Sequence, residues 1–129
     1  MLRDLELRVH TPIPEVVIVR VSGTVNRLTA AALAQRVGRQ LARAPHVVVD
    51  LGEVTVADPR DLAVLFRLPR RARANGTQIY IARAEREEVR RALRVTGLDQ
   101  MFTLVPTAEA VVAGLPRPVA SRTESSQPQ

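Results

Sequence analysis

The chain contains no cysteine and no tryptophan, and it contains no lysine: all 19 of its Lys-plus-Arg residues are arginine. Without cysteine there is no disulfide, no thiolate nucleophile and no cysteine-based zinc site. Without a lysine amine, a P-loop nucleotide site and a Schiff-base mechanism are both closed. Aromatic residues make up only 2% of the chain (Phe66, Tyr80 and Phe102), so Leu, Val and Ala must fill any core. The same scarcity removes the stacking platforms that single-stranded nucleic acid needs. No apolar run approaches the ~20 residues of a membrane-spanning helix. Arg3, Asp4, Glu6 and Arg8 interrupt the N-terminal region where a signal peptide would be apolar. The expectation is a soluble, cytoplasmic protein with no membrane partner.

What is present fits one small α/β domain. A chain of 129 residues, 46% hydrophobic, supports a single core. Leu5, Leu7 and Val9 alternate with charged residues as a first strand, and Thr11-Pro12-Ile13-Pro14 reads as a connection. Residues 16–21 form a second strand that Gly23 ends, giving an antiparallel pair at one side of the sheet. Residues 29–44 place Leu33, Val37 and Leu41 at spacing four, an amphipathic helix stopped by Ala44-Pro45, with Gly38 a weak point worth about 1 kcal/mol.

The most informative stretch is 47–68. Val47, Val48 and Val49 are continuous and β-branched, as suits a strand covered on both faces. Beyond Asp58, Leu62, Leu65, Phe66 and Leu68 recur at helical spacing, so a strand feeds a helix through residues 52–58. Asp58 is placed as N-cap, Pro59 at the first helical position and Asp61 as a capping-box acid. Such a helix start is expected to present backbone N–H groups and a partial positive charge to a phosphate or a partner's carboxylate. Pro69 predicts a kink or break near Leu68, within a helix that otherwise runs to about Ala74. After Asn75-Gly76 come a strand over 78–82, a helix over 85–96 closed by Gly97, a connection over 98–102 and an edge strand over 103–105. In the helix, Val89, Ala92, Leu93 and Thr96 mark the buried face. A final helix over 107–115 is capped by Thr107, with Ala110, Val111 and Leu115 inward. Residues 116–129, rich in Pro, Ser, Thr and Gln, read as a disordered tail with Ser121, Thr123, Ser125 and Ser126 open to modification.

The order of these features carries a resemblance. A strand, then Gly23-Thr24-Val25-Asn26, Thr29-Ala30 and a helix, then VVVDLGEV, an Asp-led helix start and Asn75-Gly76 before another strand, together resemble the STAS domain of bacterial anti-sigma-factor antagonists. The resemblance covers roughly residues 5–115 and rests on order and spacing, not on one motif. It implies a mixed sheet of about five strands, the first pair antiparallel and the rest parallel, with about four helices packed against it. It implies a domain over 1–115 and a non-catalytic interaction module whose partner is an anti-sigma factor, often a protein of kinase fold.

In that family the corner usually reads Asp-Ser-Ser-Gly-Leu and an anti-sigma kinase phosphorylates a serine. Here it reads Asp58-Pro59-Arg60-Asp61-Leu62. Neither Pro59 nor Arg60 can accept a phosphoryl group, so the electrostatic switch that a phosphate provides is absent at this site. The resemblance makes Thr24, Asn26, Asp58, Pro59, Arg60, Asp61 and Leu62 the partner-binding set. Asn26, where relatives often carry Asp, also reads as a turn residue with a local side-chain bond. A response-regulator receiver, similar in element order, needs a lysine that this chain lacks.

The net charge of +6 gathers between residues 67 and 94, where nine arginines face the three glutamates 85, 87 and 88. Arg86, Arg90 and Arg94 fall one turn apart as a basic stripe, read either as a binding surface or as a solvated face with Glu87 paired to Arg91. Nucleic acid is not the expected partner: duplex binding through phosphates stays open, but no helix-turn-helix is visible. His10 and His46 form no recognisable catalytic pair, and Asp50, Glu53 and Asp58 lack a cation-loop pattern, so no metal or other cofactor is expected. A small-molecule or nucleotide-binding module of the same fold, with phosphate near Arg60, is the alternative class; a basic nucleic-acid-binding protein is another. The sequence leaves a homodimer undecided.

Overall fold

The computed structural model describes residues 5–116. Five strands form one sheet in sequence order: β1 (Leu5–Ile13), β2 (Val16–Val25), β3 (His46–Ala57), β4 (Gln78–Ala82) and β5 (Thr103–Val105). β1 is antiparallel to β2, and every later pairing is parallel. The helical elements are α1 (Ala30–Gln40), α2 (Pro59–Leu62), a 3-10 segment (Ala63–Arg67), α3 (Leu68–Ala74), α4 (Glu87–Thr96), α5 (Leu98–Met101) and α6 (Ala108–Gly114). The mixed sheet expected from the sequence is therefore present.

Strand alternation divides the apolar side chains between two layers. Val17, Val19, Val21, Val47, Val49, Leu51, Ile79 and Ile81 join the main core with residues of α1, α3 and α4. Val16, Ile18, Val48 and Ala82 face the other way, beneath Ala108 and Val111 of α6. This is why 47–49 is apolar without a break: all three valines are fully buried.

Several boundaries differ from the sequence reading, and tertiary pairing accounts for them. Residues 11–13 belong to β1 and not to a connection; Pro12 is tolerated there because β1 is an edge strand and the register shifts between His10 and Ile13. Gly23 does not end β2 but lies inside it at φ +104, beside a register shift in the β2–β3 ladder. Residues 52–57 are strand as well, since β3 stays paired to β2 as far as Val25 opposite Ala57. α1 stops at Gln40, short of Pro45, and the Thr77 hydroxyl donates to the carbonyls of Leu41 (2.7 Å) and Ala44 (3.3 Å) in the turn that follows.

The break expected near Leu68 is present and begins earlier, as a 3-10 segment. Leu62, Leu65 and Leu68 stand three apart and are all buried, the spacing that a 3-10 helix aligns on one side. Phe66, placed on the apolar face by the sequence pattern, is 36% exposed instead. Pro69 falls in the first turn of α3, where its missing N–H costs nothing. α4 starts at Glu87 rather than Glu85, Thr96 is only half-buried, and residues 98–101 form a helical turn. In α6, Ala108 and Val111 are buried, Leu115 is half-buried and Ala110 is exposed, because the inward stripe begins at Ala108. The tail reading for residues 117–129, including Ser121, Thr123, Ser125 and Ser126, lies outside the described residues.

Tyr80 of β4 lies on the α6 side of the sheet, its hydroxyl 2.8 Å from Nδ1 of His46. Burial disfavours the phenolate and raises this phenol above its ordinary value of 10.0. With one tyrosine and no tryptophan in the chain, ultraviolet titration reads this group alone. The expected midpoint lies above the 10.0 of a free phenol. Because the folded-state pKa is the raised one, stability declines as pH climbs from 10.0 through it; a midpoint at or below 10.0 in the folded protein contradicts the assignment.

Candidate functional site

The corner is the point where β3 leaves the sheet. The Asp58 N–H still donates to the Val25 carbonyl (3.2 Å), so the last sheet bond and the first helix residue coincide. The Asp58 side chain then accepts from the Arg60 N–H (2.9 Å), and the Asp58 carbonyl accepts from Asp61 N–H (3.0 Å) and Leu62 N–H (2.9 Å). Asp58 is thus the N-cap and Pro59 the first helical residue, as the sequence indicates. The capping box does not form, since the Asp58 N–H that Asp61 would have to accept is committed to Val25.

These bonds also correct the expectation of available amides. Pro59 has no N–H, and the N–H groups of Arg60, Asp61 and Leu62 all have partners. α2 is a single turn, so its dipole is small. A phosphate cradle at this helix start, the basis of the nucleotide-binding alternative, therefore has no backbone donors to use.

What the corner displays is side chains. The Arg60 side chain is 91% exposed and Asp58 37%, with Arg60 Nε 3.6 Å from Asp58 Oδ1, a surface pair of little energetic weight. Leu62 is buried among the core residues and anchors the turn from beneath, so it offers no surface to a partner. Beside Asp58, the β2–α1 loop is closed by Asn26: its Oδ1 accepts from Leu28 N–H (2.8 Å) and Thr29 N–H (3.1 Å). In return the Thr29 hydroxyl accepts from Asn26 N–H (2.9 Å) and donates to the Thr24 carbonyl (2.8 Å). Asn26 is thereby the turn residue with local bonds that the sequence allowed. Sheet pairing of Val25 with Ala57 brings Thr24 and Asn26 next to the corner.

Among the exposed apolar residues not singled out from sequence, three lie on β3, α4 and α5. Val56 is 49% exposed, Val95 of α4 64% and Met101 of α5 45%. α2 packs on α4, and a shallow groove between them is lined by Ala57, Pro59, Glu88, Arg91, Ala92 and Val95. Val95 was legible in principle, since it falls off the buried stripe made by Val89, Ala92 and Leu93.

The basic stripe is rearranged. Arg86 is the extended N-cap of α4 and not a helical residue, whereas Arg90 and Arg94 are helical and exposed. Glu87 pairs with Arg90 at 2.7 Å, not with Arg91, and this bond to the guanidinium and its charge lower the Glu87 carboxyl below its ordinary range.

The arginine partners of Asp50 were not foreseen from the sequence. Asp50 is buried on the α6 side, where Oδ2 meets Arg20 Nη1 (3.0 Å) and Oδ1 meets Arg83 Nε (3.5 Å) and accepts from Gly52 N–H (2.9 Å). Arg20 reaches on to Glu109 of α6 at 3.3 Å. The Arg83 guanidinium occupies the space a Cβ at Gly52 would need. Arg83 itself has φ +56 and donates its N–H to the Pro106 carbonyl (3.2 Å). Asp50 is thus committed to arginines. The cross-strand register that sets Arg20 beside Asp50 is the signal, and it needs a known sheet order to be read.

A family model described as "Mlab, STAS domain" matches residues 13–106. A solved anti-sigma factor antagonist from Mycobacterium paratuberculosis is 27% identical, with a TM-score of 0.67, covering 84% of this chain and 92% of that one. The anti-sigma factor antagonist SpoIIAA in its unphosphorylated form is 13% identical with a TM-score of 0.69, covering 87% and 100%. The Bacillus cell fate determinant SpoIIAA in its phosphorylated form is also 13% identical, with a TM-score of 0.59 over 84% and 98%. The two comparisons at 13% speak for the fold alone.

Proposed function

The chain belongs to the STAS domain family, and from that premise we propose that it is a non-catalytic module of the anti-sigma-factor-antagonist type. It binds an anti-sigma factor or a related kinase-fold signalling protein through the corner, and so regulates transcription without phosphorylation at residues 58–62. The observation that carries this reading is Arg60, 91% exposed at the tip of the corner where the resemblance places a phosphorylatable serine. A guanidinium there is a permanent, forked donor for a partner carboxylate. Val56 precedes the corner in β3 and Val95 shares a groove with Ala57 and Pro59, so exposed apolar surface lies beside it, the usual composition of an interface with a polar rim. The 27% identical mycobacterial structure, itself an anti-sigma factor antagonist, supports the same assignment.

The test is a pull-down with purified kinase-fold anti-sigma factors and ATP, followed by intact-mass measurement. Binding to at least one is expected, with no added phosphate. Arg60→Glu and Val95→Asp should each weaken it by about tenfold or more. Retention of none of them, or equal binding by both variants, overturns the proposal. A companion variant, Arg60→Ser with Asp61→Gly, restores a hydroxyl that can take the γ-phosphoryl group of ATP with release of ADP. Its phosphorylation by a kinase that binds the parent chain would identify the partner.

A further inference from the structure

Arg86 and Arg94 of the α4 stripe take part in no ion pair among the described residues, but the larger set of unpaired arginines lies elsewhere. Residues 27–49 and 62–84 contain no aspartate or glutamate. These segments supply α1, the 3-10 segment and α3, which pack against one another on one side of the sheet. Arg36, Arg39 and Arg43 are exposed along α1 and its trailing turn, and Arg67, Arg70 and Arg71 are exposed along its neighbours. None of the six takes part in an ion pair among the described residues. The two rows meet at Gly38, where a Cβ would lie 2.6 Å from Arg71 Nη1: the missing side chain lets that guanidinium lie against α1. On α4, by contrast, Glu87 neutralises Arg90, and Glu85 and Glu88 stand nearby.

We propose that this α1–α3 arginine face binds the phosphate backbone of a nucleic-acid duplex without reading its sequence. Six cations without an ion pair among the described residues, in two rows that meet at Gly38, favour a polyanion, although Glu6 of β1 stands near Arg36. A protein interface would carry an apolar centre, and a membrane-surface helix a row of apolar anchors. Phe66 is 36% exposed within these elements, and Leu28, 81% exposed, stands only at the end of the row, just before α1 and near Arg36. Val56 and Val95, exposed apolar residues suited to a protein partner, lie instead near the corner, Val95 in the groove with Pro59. A duplex needs neither, because phosphates are held by guanidinium forks through solvated contacts. Single strands stay disfavoured, for want of stacking aromatics.

The experiment is a salt titration of the full chain with a short fluorescent DNA duplex of arbitrary sequence, followed by anisotropy. Each phosphate neutralised contributes about −0.9 to the slope of log affinity against log salt. The triple variant Arg36→Ser, Arg39→Ser, Arg43→Ser should make that slope shallower by about 3, and Arg67→Ser, Arg70→Ser, Arg71→Ser by a similar amount. The control Arg86→Ser, Arg90→Ser, Arg94→Ser should change it by about 1 or less. Circular dichroism confirms that each variant is folded. The proposal is overturned if the control lowers the slope as much as either face variant, or if both face variants leave it unchanged. It is equally overturned if polyglutamate, or vesicles of phosphatidylglycerol, displace the duplex at equal charge concentration. Corner binding and this face separate cleanly, since Arg60→Glu should leave the slope within about 1 of the parent.

Discussion

Leu65→Ala is expected to lower the unfolding free energy by about 3 kcal/mol, as a shift in the urea midpoint at constant m-value. Leu65 is fully buried in the 3-10 segment and belongs to the cluster that joins the sheet to α1, α3 and α4. Truncation removes its burial and leaves a cavity that neighbours held by two flanking helices fill only in part. Its chain neighbour is the control. Phe66→Ala removes a larger side chain, yet one that is 36% exposed, and should cost about 1 kcal/mol or less. Equal losses at the two positions would mean that the segment is an ordinary α-helix with Phe66 turned inward.

The second large effect is expected at Asp50. Asp50→Ala should destabilise the fold by about 2 kcal/mol, because Arg20 and Arg83 are left facing each other and the Gly52 N–H loses its acceptor. Loss of a partner from a fully buried ion pair costs about 3 to 5 kcal/mol; both guanidiniums here are more than a third exposed, and water screens the remaining repulsion. Asp50→Asn keeps an acceptor for Gly52 and should cost less. Glu109→Ala, which breaks only the outer pair on α6, should fall within about 0.5 kcal/mol of the parent. Chemical denaturation of the three variants checks the ranking; a Glu109→Ala loss equal to that of Asp50→Ala would place the stabilising contact on α6 and not at the buried carboxylate.

These two positions show where sequence reading ends. The run Leu62, Leu65, Phe66, Leu68 fits either helical period, and only Pro69, together with the contacts of α1 and α3, selects the tighter one. Asp50 looks like the polar end of a valine strand. Its partners lie 30 residues before it and 33 after it, and nothing local announces them. At the corner the cap was legible because Asp58, Pro59 and Arg60 interact within one turn, whereas the capping box failed through a sheet bond to Val25. The exposed Val56 and Val95 came from separate elements, β3 and α4, and their meeting near the corner was invisible for that reason.

By itself, the sequence determined the order of the strands and of the longer helices, the antiparallel first pair, the helix start at Asp58, the break before Pro69 and the lack of a hydroxyl at residues 58–62. All of these depend on side-chain period, capping or residue identity, which act within about one turn. Tertiary structure alone decided how far β3 runs, which amides at the corner are already bonded, and which arginines have carboxylates. The physical reason is that strand register and ion pairing join residues tens of positions apart, so their partners exist only once the sheet has closed.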